Sequence, residues 1–273
     1  MIELSEWPAD SARHIRGVFT DIDDTLTTEG VITRDALQAL ADLKSAGLAV
    51  IPITGRHTGW CHPLMEGDSK GQPPWPVDAI VAENGAVAFV LQGTQDGRRV
   101  LSKRYQQDAA SLALQQQRMR TVADRVRREV PTIGLARDEG GRETDIAFDF
   151  NEHVHLPPET VQQVLAILHD EGMYTAVSSI HIHGCFENFN KWLGAQWIVR
   201  ELWSRELAQE LDHWVFVGDS GNDQAMFQHF RHSVGVANIR NVASRLTYLP
   251  RYVTASARGA GFVEVVQHIL QFR

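Results

Sequence analysis

Apolar and polar residues alternate along this chain in two rhythms. Short, nearly unbroken apolar runs at 18–20, 48–54, 78–82 and 215–217 predict strands buried on both faces. Between them the apolar spacing lengthens to the helical step. Thr33 predicts an N-cap for a helix over 34–46, with Leu37, Leu40, Ala41 and Leu43 on one face and Gly47 as its stop. A proline-rich connection, Gln72-Pro73-Pro74-Trp75-Pro76, precedes the third strand. Residues 87–92 and 99–104 alternate across 93–97 and predict a hairpin.

The rhythm changes near residue 105. A polar helix is predicted over 106–129, with a thin apolar face of Leu112, Leu114, Met119, Val122 and Val126. Strands at 133–137 and 144–150 flank the turn Asp138-Glu139-Gly140-Gly141-Arg142. Pro157-Pro158 opens a helix through Glu171 that buries Val161, Val164, Leu165 and Leu168 and stops at Gly172. Strands follow at 174–178 and 180–183. From Phe189 the first rhythm resumes, with helices at 191–207, 222–230, 241–246 and 261–271 and strands at 215–217, 233–236 and 251–254. The pattern predicts an α/β fold: a Rossmann-like parallel-sheet core over 1–104 and 188–273, with an inserted α/β domain at 105–187.

The 273 residues suffice for one large domain or two smaller ones, and a hydrophobic content of 43% is that of a globular protein. A formal charge of −8 argues against nucleic acid as a partner. No apolar run is long enough to span a bilayer, and the first residues lack a signal-peptide pattern. Cys61 and Cys185 have neither metal-ligand spacing nor a disulfide framework, so reduced thiols and a cytoplasmic location are expected. Oligomeric state stays open.

Chemistry concentrates at strand ends. Asp21-Ile22-Asp23-Asp24-Thr25-Leu26-Thr27 follows the first strand, and Gly218-Asp219-Ser220-Gly221-Asn222-Asp223 follows the strand at 215–217. Acidic residues there also serve as caps and turns. Two such clusters, each costly to bury, point instead to one shared cation, and oxygen ligands suit a hard divalent metal. In a parallel sheet both clusters, with Thr54-Gly55-Arg56, reach the same edge, beyond the carboxyl ends of the strands. Asp21, Asp23, Thr54, Lys191, Asp219, Asn222 and Asp223 form a set suited to phosphoryl transfer. One carboxylate attacks, a second moves a proton, and a hydroxyl, an ammonium and a metal hold the phosphoryl charge.

With these motifs in order, together with Ile53-Thr54-Gly55-Arg56 and Asn190-Lys191-Trp192, the chain resembles the haloacid dehalogenase superfamily of phosphatases across nearly its whole length. The insertion after the second motif, preceded by Glu83-Asn84-Gly85-Ala86, resembles the subclass with a large α/β cap, which includes Cof-type sugar-phosphate and sucrose-phosphate phosphatases and phosphomannomutases. The resemblance implies Asp21 as nucleophile and Asp23 as general acid and base, with magnesium held by Asp21, the Asp23 carbonyl and Asp219. Asn222 or Asp223 would stand in the first or second shell of the metal. Thr54 and Lys191 would hold the phosphate. Lys191 is followed by Trp192-Leu193-Gly194 in place of the common Lys-Gly step. The implied reaction is magnesium-dependent hydrolysis of a small phosphorylated metabolite, a sugar or polyol phosphate. A phosphomutase and a non-catalytic binding protein on the same fold are the alternatives.

Other residues carry two readings each. Thr25, Gly55, Arg56, Glu83, Asn84 and His183 are candidate substrate contacts, although Arg56 also suits an ion pair and Glu83-Asn84-Gly85 a turn. His181 and His183 share one strand face toward the predicted cleft, and a metal pair there is disfavoured because the carboxylates already supply a site. Asp138, Glu139 and Arg142 are a specificity loop or an exposed hairpin tip. His57, Cys61 and His62 make a weak zinc or thiol motif, and Trp60 and Trp75 are alternatives for an apolar wall. Arg118, Arg120, Arg125 and Arg127 are expected to solvate a helix face.

Overall fold

The computed structural model describes residues 1–67, 73–96 and 98–273; Gln72 of the proline-rich connection and Gly97 of the expected hairpin turn lie outside them. Strands β1 (Ile2–Glu3) and β2 (Gly17–Thr20) flank helix α1 (Ala9–Ala12). A small ribbon, β3 (Thr27–Thr28) and β4 (Val31–Ile32), leads to α2 (Arg34–Ser45), β5 (Ala49–Pro52) and α3 (Thr58–Glu66). β6 (Ala79–Ala82), β7 (Val87–Gln95) and β8 (Arg98–Tyr105) follow. Next come α4 (Ala109–Glu129), β9 (Gly134–Leu135), β10 (Ile146–Asp149), α5 (Pro158–Asp170), β11 (Tyr174–Val177) and β12 (His181–Cys185). The chain then runs through α6 (Lys191–Trp203), β13 (Trp214–Gly218), α7 (Gln224–His229), β14 (His232–Gly235), β15 (Tyr252–Val253) and α8 (Arg258–Leu270).

The central sheet has the order β1-β15-β14-β13-β2-β5, and every neighbouring pair is parallel. Its strands are apolar on both faces. Val18, Val50, Val215 and Val217 point into one core layer with Leu40 and Leu43 of α2 and Phe262, Val265 and Ile269 of α8. Phe19, Ile51, Trp214 and Phe216 point into the other, with Ala195, Ile198 and Val199 of α6 and Met226 and Phe227 of α7. This period of two, covered by helices on each side, is what continuous apolar strands require. A parallel bridge from Ile53 to Val81 joins the sheet to β6, which continues antiparallel into β7 and β8. A bulge between Leu91 and Gly93 lets β7 run on past the expected end of the hairpin arm.

A second, antiparallel sheet has the order β11-β12-β10-β9. It packs with α4 and α5 around its own core of Met119, Val122, Val126, Phe148, Val164, Leu168 and Ile182. Leu114 does not join that core and is 63% exposed; Gln115 and Ala123 are buried instead. Val161 and Leu165 are only partly buried.

Three further elements differ from the sequence reading. Residues 241–246 form no α-helix; two single turns, Ala237–Asn241 and Ala243–Arg245, replace it. Only Ile239 is buried there, so no apolar face sustains a longer helix. Helix α6 ends at Trp203 because Ser204 turns left-handed at φ 51°. Helix α3 was not expected, since Gly59 and Pro63 lie inside it; His57 caps it by accepting from the Gly59 N–H at 3.1 Å.

Candidate active site

β2 and β13 are neighbours in register, Thr20 opposite Val217, and Asp21 continues the ladder by donating its N–H to the Val217 carbonyl at 2.8 Å. Parallel pairing therefore sets Asp21 and the 218–223 loop side by side at the carboxyl edge. Lys191, the first residue of α6, is fully buried between them. Its ammonium donates to Asp21 Oδ1 at 2.5 Å and to Asp223 Oδ1 at 2.7 Å. The helix start is fixed by Asn190, whose side chain accepts from the Leu193 N–H at 3.0 Å. Gly194, one turn on, lets α6 approach the 83–85 turn: a Cβ there would lie 2.5 Å from Gly85 Cα. The glycine displaced from the usual Lys-Gly step thus has a packing role of its own.

One oxygen each of Asp21, Asp219 and Asp223 gather within 4.8 Å of one another. Burial and the neighbouring carboxylates outweigh Lys191 and push the Asp21 pKa up to about 7; burial pushes Asp219 well above its ordinary value for the same reasons. The three acids are not equivalent. Asp223 Oδ2 accepts from the Asp219 and Ser220 N–H groups at 2.8 and 3.0 Å, so both of its oxygens are engaged. Asn222 is also engaged: its oxygen accepts from Ser220 Oγ and its nitrogen donates to Asn84 Oδ1, each at 2.9 Å. Asp219 Oδ2 accepts from Asn238 at 2.7 Å, while its Oδ1 is buried without a partner. An orphaned carboxylate oxygen among hard oxygen donors fits a divalent cation such as magnesium, with Asp21 and Asp219 offering the open positions.

Asp23 and Arg56 form the next layer. Arg56 donates three hydrogen bonds of 2.9–3.1 Å to the two Asp23 oxygens and pairs with Glu152 at 2.8 Å. Its guanidinium stacks over Trp60 at 5.1 Å. Thr54 is buried at the end of β5, with its hydroxyl oxygen accepting the Arg56 N–H at 3.1 Å. The Thr25 hydroxyl is buried and without a partner.

The second sheet closes the other side. His181 Nε2 meets Glu152 Oε2 at 2.8 Å, and His183 Nδ1 meets Asp145 Oδ2 at 2.9 Å. Each histidine is tied to its own carboxylate and the rings stand 5.9 Å apart, so they make no metal pair. Arg142 crosses from this side to donate to the Gly55 carbonyl at 2.9 Å. A cavity of about 10 Å³, the size of one water, remains between the walls, lined by Asp21, Asp23, Gly55, Arg56, His183 and Asn222 among others. Glu83 does not face it. Its carboxylate accepts the N–H groups of Glu143 and Thr144 and the Thr144 hydroxyl at 2.5–3.2 Å, joining the two sheets. Asn84 is held by Asn222, and its amide nitrogen stands beside Gly55 and His183, 3.3 Å from where a Cβ on residue 55 would lie. A larger cleft of about 610 Å³ adjoins at Ser178, Ser179 and Ser220.

Sequence reasoning missed Asp145, Glu152 and Asn238. Asp145 had a faint signal, an acid directly before the apolar run Ile146-Ala147-Phe148; Glu152 and Asn238 had none. Trp75 lies in the core, not at the site, and burial raises the Cys61 and Cys185 thiols, which removes them as nucleophiles. Among the described residues no helix is long and apolar enough to cross a membrane.

The sequence matches the haloacid dehalogenase-like hydrolase family over residues 18–122 and the sucrose-6F-phosphate phosphohydrolase family over 190–269. No curated protein matches it closely enough to count as a relative. Solved structures share the fold. One from Thermoplasma acidophilum is 19% identical, covers 95% of this chain and 99% of its own, and superposes with a TM-score of 0.70. The sucrose-phosphatase of Synechocystis, solved with sucrose and phosphate, is 18% identical with coverage of 94% and 98% and a TM-score of 0.64. A HAD/COF-like hydrolase from Plasmodium vivax is 14% identical with coverage of 97% and 100% and a TM-score of 0.67. Both family matches fall on the carboxylate clusters assembled above, so the chain is similar to haloacid dehalogenase-like hydrolases around Asp21 and to a sucrose-phosphate phosphohydrolase around Lys191 and Asp219.

Proposed function

We propose that the protein hydrolyses the phosphomonoester of a sugar, polyol or similar small metabolite with magnesium, residues 105–187 acting as a cap over a core of 1–104 and 188–273. The observation that carries this is the buried Asp21–Lys191–Asp223 chain beside the unpartnered Asp219 oxygen, a site short of positive charge that a cation would complete. Magnesium held by Asp21, Asp219 and the Asp23 carbonyl would shield the nucleophile from phosphate oxygens and polarise phosphorus. Asp21 Oδ attacks phosphorus and the ester P–O bond breaks, its electron pair leaving with the alcohol oxygen, which takes a proton from Asp23. Asp23 then removes a proton from water, which attacks the aspartyl-phosphate and releases phosphate. Lys191 and the Thr54 hydroxyl hold the phosphoryl oxygens.

A cavity that admits one water is too small for a phosphate, so the cap opens to load substrate and Arg56 must release Asp23 for that residue to carry its proton. The 18% identical sucrose-phosphatase supports the sugar-phosphate class only as a fold neighbour. The test is phosphate release from a panel of sugar, polyol and nucleotide phosphates, with magnesium or EDTA. Magnesium-dependent release should fall at least about a thousandfold in Asp21→Asn. Isomerised product without free phosphate would replace this reading with the mutase, and equal release by Asp21→Asn would remove Asp21 as nucleophile.

A further inference from the structure

His183 is buried on β12, at the cavity wall beside Gly55. Its Nδ1 contacts Asp145, which also accepts two bonds from Arg142 Nη1 at 3.0 and 3.2 Å. Burial opposes the Asp145 charge, but Arg142 and His183 outweigh burial and bring its pKa down to about 2. An ionised carboxylate only accepts hydrogen bonds, so the proton of His183 sits on Nδ1. Burial lowers the imidazole to about 4 against the pull of Asp145, which leaves the ring neutral at pH 7. Nε2 then carries a bare lone pair. It makes no hydrogen bond to any described residue; it stands 3.0 Å, and the Asn84 amide nitrogen 3.3 Å, from where a Cβ on residue 55 would lie, so a glycine is needed for the ring to sit at this cavity wall.

A histidine kept for packing alone has no reason to aim its unpaired nitrogen at the reaction cavity. The lone pair repels a carboxylate or phosphate oxygen and attracts a donor. We propose that His183, oriented by Asp145, is a specificity-determining acceptor for a hydroxyl on the alcohol part of the substrate, next to the phosphoester. The inference rests on the phosphatase reading and narrows it: the leaving alcohol carries a neighbouring hydroxyl and no carboxylate in that place.

Three small phosphates test it: glycerol 3-phosphate, propyl phosphate without the hydroxyls, and 2-phosphoglycolate with a carboxylate. The wild type should favour glycerol 3-phosphate over propyl phosphate by about a hundredfold in kcat/KM, because an acceptor left unpaired penalises the wrong ligand. In Asp145→Asn, Arg142 claims the amide oxygen, the amide N–H faces Nδ1, and the imidazole proton moves to Nε2. The preference should collapse and shift toward 2-phosphoglycolate, while His183→Gln, which keeps an acceptor, retains part of it. His183→Phe, neutral and of similar bulk, repeats the test should Asp145→Asn fail to fold; it should lose the preference without gaining the carboxylate compound. ¹⁵N shifts of His183 should show a protonated Nδ1. A wild type that treats glycerol and propyl phosphates alike, variants with an unchanged ratio, or a protonated Nε2 would overturn the assignment. Release from propyl phosphate would show the phosphatase reading intact in that case, whereas no release from any substrate would strike that reading instead.

Discussion

The two walls of the cavity handle charge in opposite ways. On the sheet side Asp21 and Asp223 share one ammonium, Asp219 has none, and burial leaves Asp21 and Asp219 reluctant to ionise. On the cap side Arg142 pairs with Asp138 and Asp145, and Glu152 pairs with His181 and Arg56. One wall shares a single ammonium between two carboxylates and leaves a third without one; the other ties its carboxylates to a guanidinium or an imidazole, with Arg56 supplied by the core. A wall short of charge binds cation and phosphate, while a wall of paired carboxylates offers fixed geometry, which suits selection of the alcohol.

Removing a cation from each wall tests this contrast most strongly. Lys191→Met and Arg142→Met each strand buried carboxylates, and each should cost about 3–5 kcal/mol in urea denaturation. The difference should emerge with magnesium. Ligand binding to the folded state adds stability, and the Lys191 variant leaves the carboxylates at the proposed metal site most in need of a cation. Magnesium should therefore restore the Lys191 variant more than the Arg142 variant. An equal magnesium effect on both would erase the distinction between the walls.

A second test uses the carboxyl that joins core and cap. Burial, then the charge of Asp145, raise the Glu83 pKa to about 7 against the donors of Thr144 and the charge of Arg142. The folded value lies above the unfolded one, so the fold favours the protonated form. This contribution is complete below the unfolded value and is lost as pH rises through about 7, at a cost of up to about 3 kcal/mol. Stability in urea without magnesium should thus fall between pH 5 and about 8 more steeply in wild type than in Glu83→Gln. Identical slopes would mean that Glu83 stays ionised among its donors throughout.

The sheet wall was the more legible of the two. Asp21 and Asp23, and Asp219 through Asp223, sit in compact motifs directly after apolar runs, so strand and motif name the site together. Lys191 follows from motif order. The cap wall depends on register. His183 pairs with Ala147 across β10 and β12, and that pairing brings Asp145, two residues before Ala147, to the ring. No local pattern carries such a contact. Glu83 likewise reads as a turn residue because its partner Thr144 belongs to another sheet. Helix α3 was hidden by Gly59 and Pro63, whose propensities tertiary packing overrides.

The smallest effect lies where the two walls touch. Arg56 holds Asp23 with one face and Glu152 with another, and so is shared between core and cap carboxylates at the cavity. Glu152 is partly exposed, so water screens the pair and its coupling should be modest, about 0.5–2 kcal/mol. A double-mutant cycle with Arg56→Met and Glu152→Gln, read by urea denaturation, isolates that term from the Arg56–Asp23 bonds, which both Glu152 backgrounds keep. Coupling in that range makes the pair a weak latch, light enough for substrate to open. A coupling near zero would leave the cap held by Arg142 on Gly55, Glu83 on Thr144, and Thr58 and Lys103 on Glu143. The Arg56 ion pair would then play no part in joining the walls at the cavity, and the link between core and cap would rest on these other contacts.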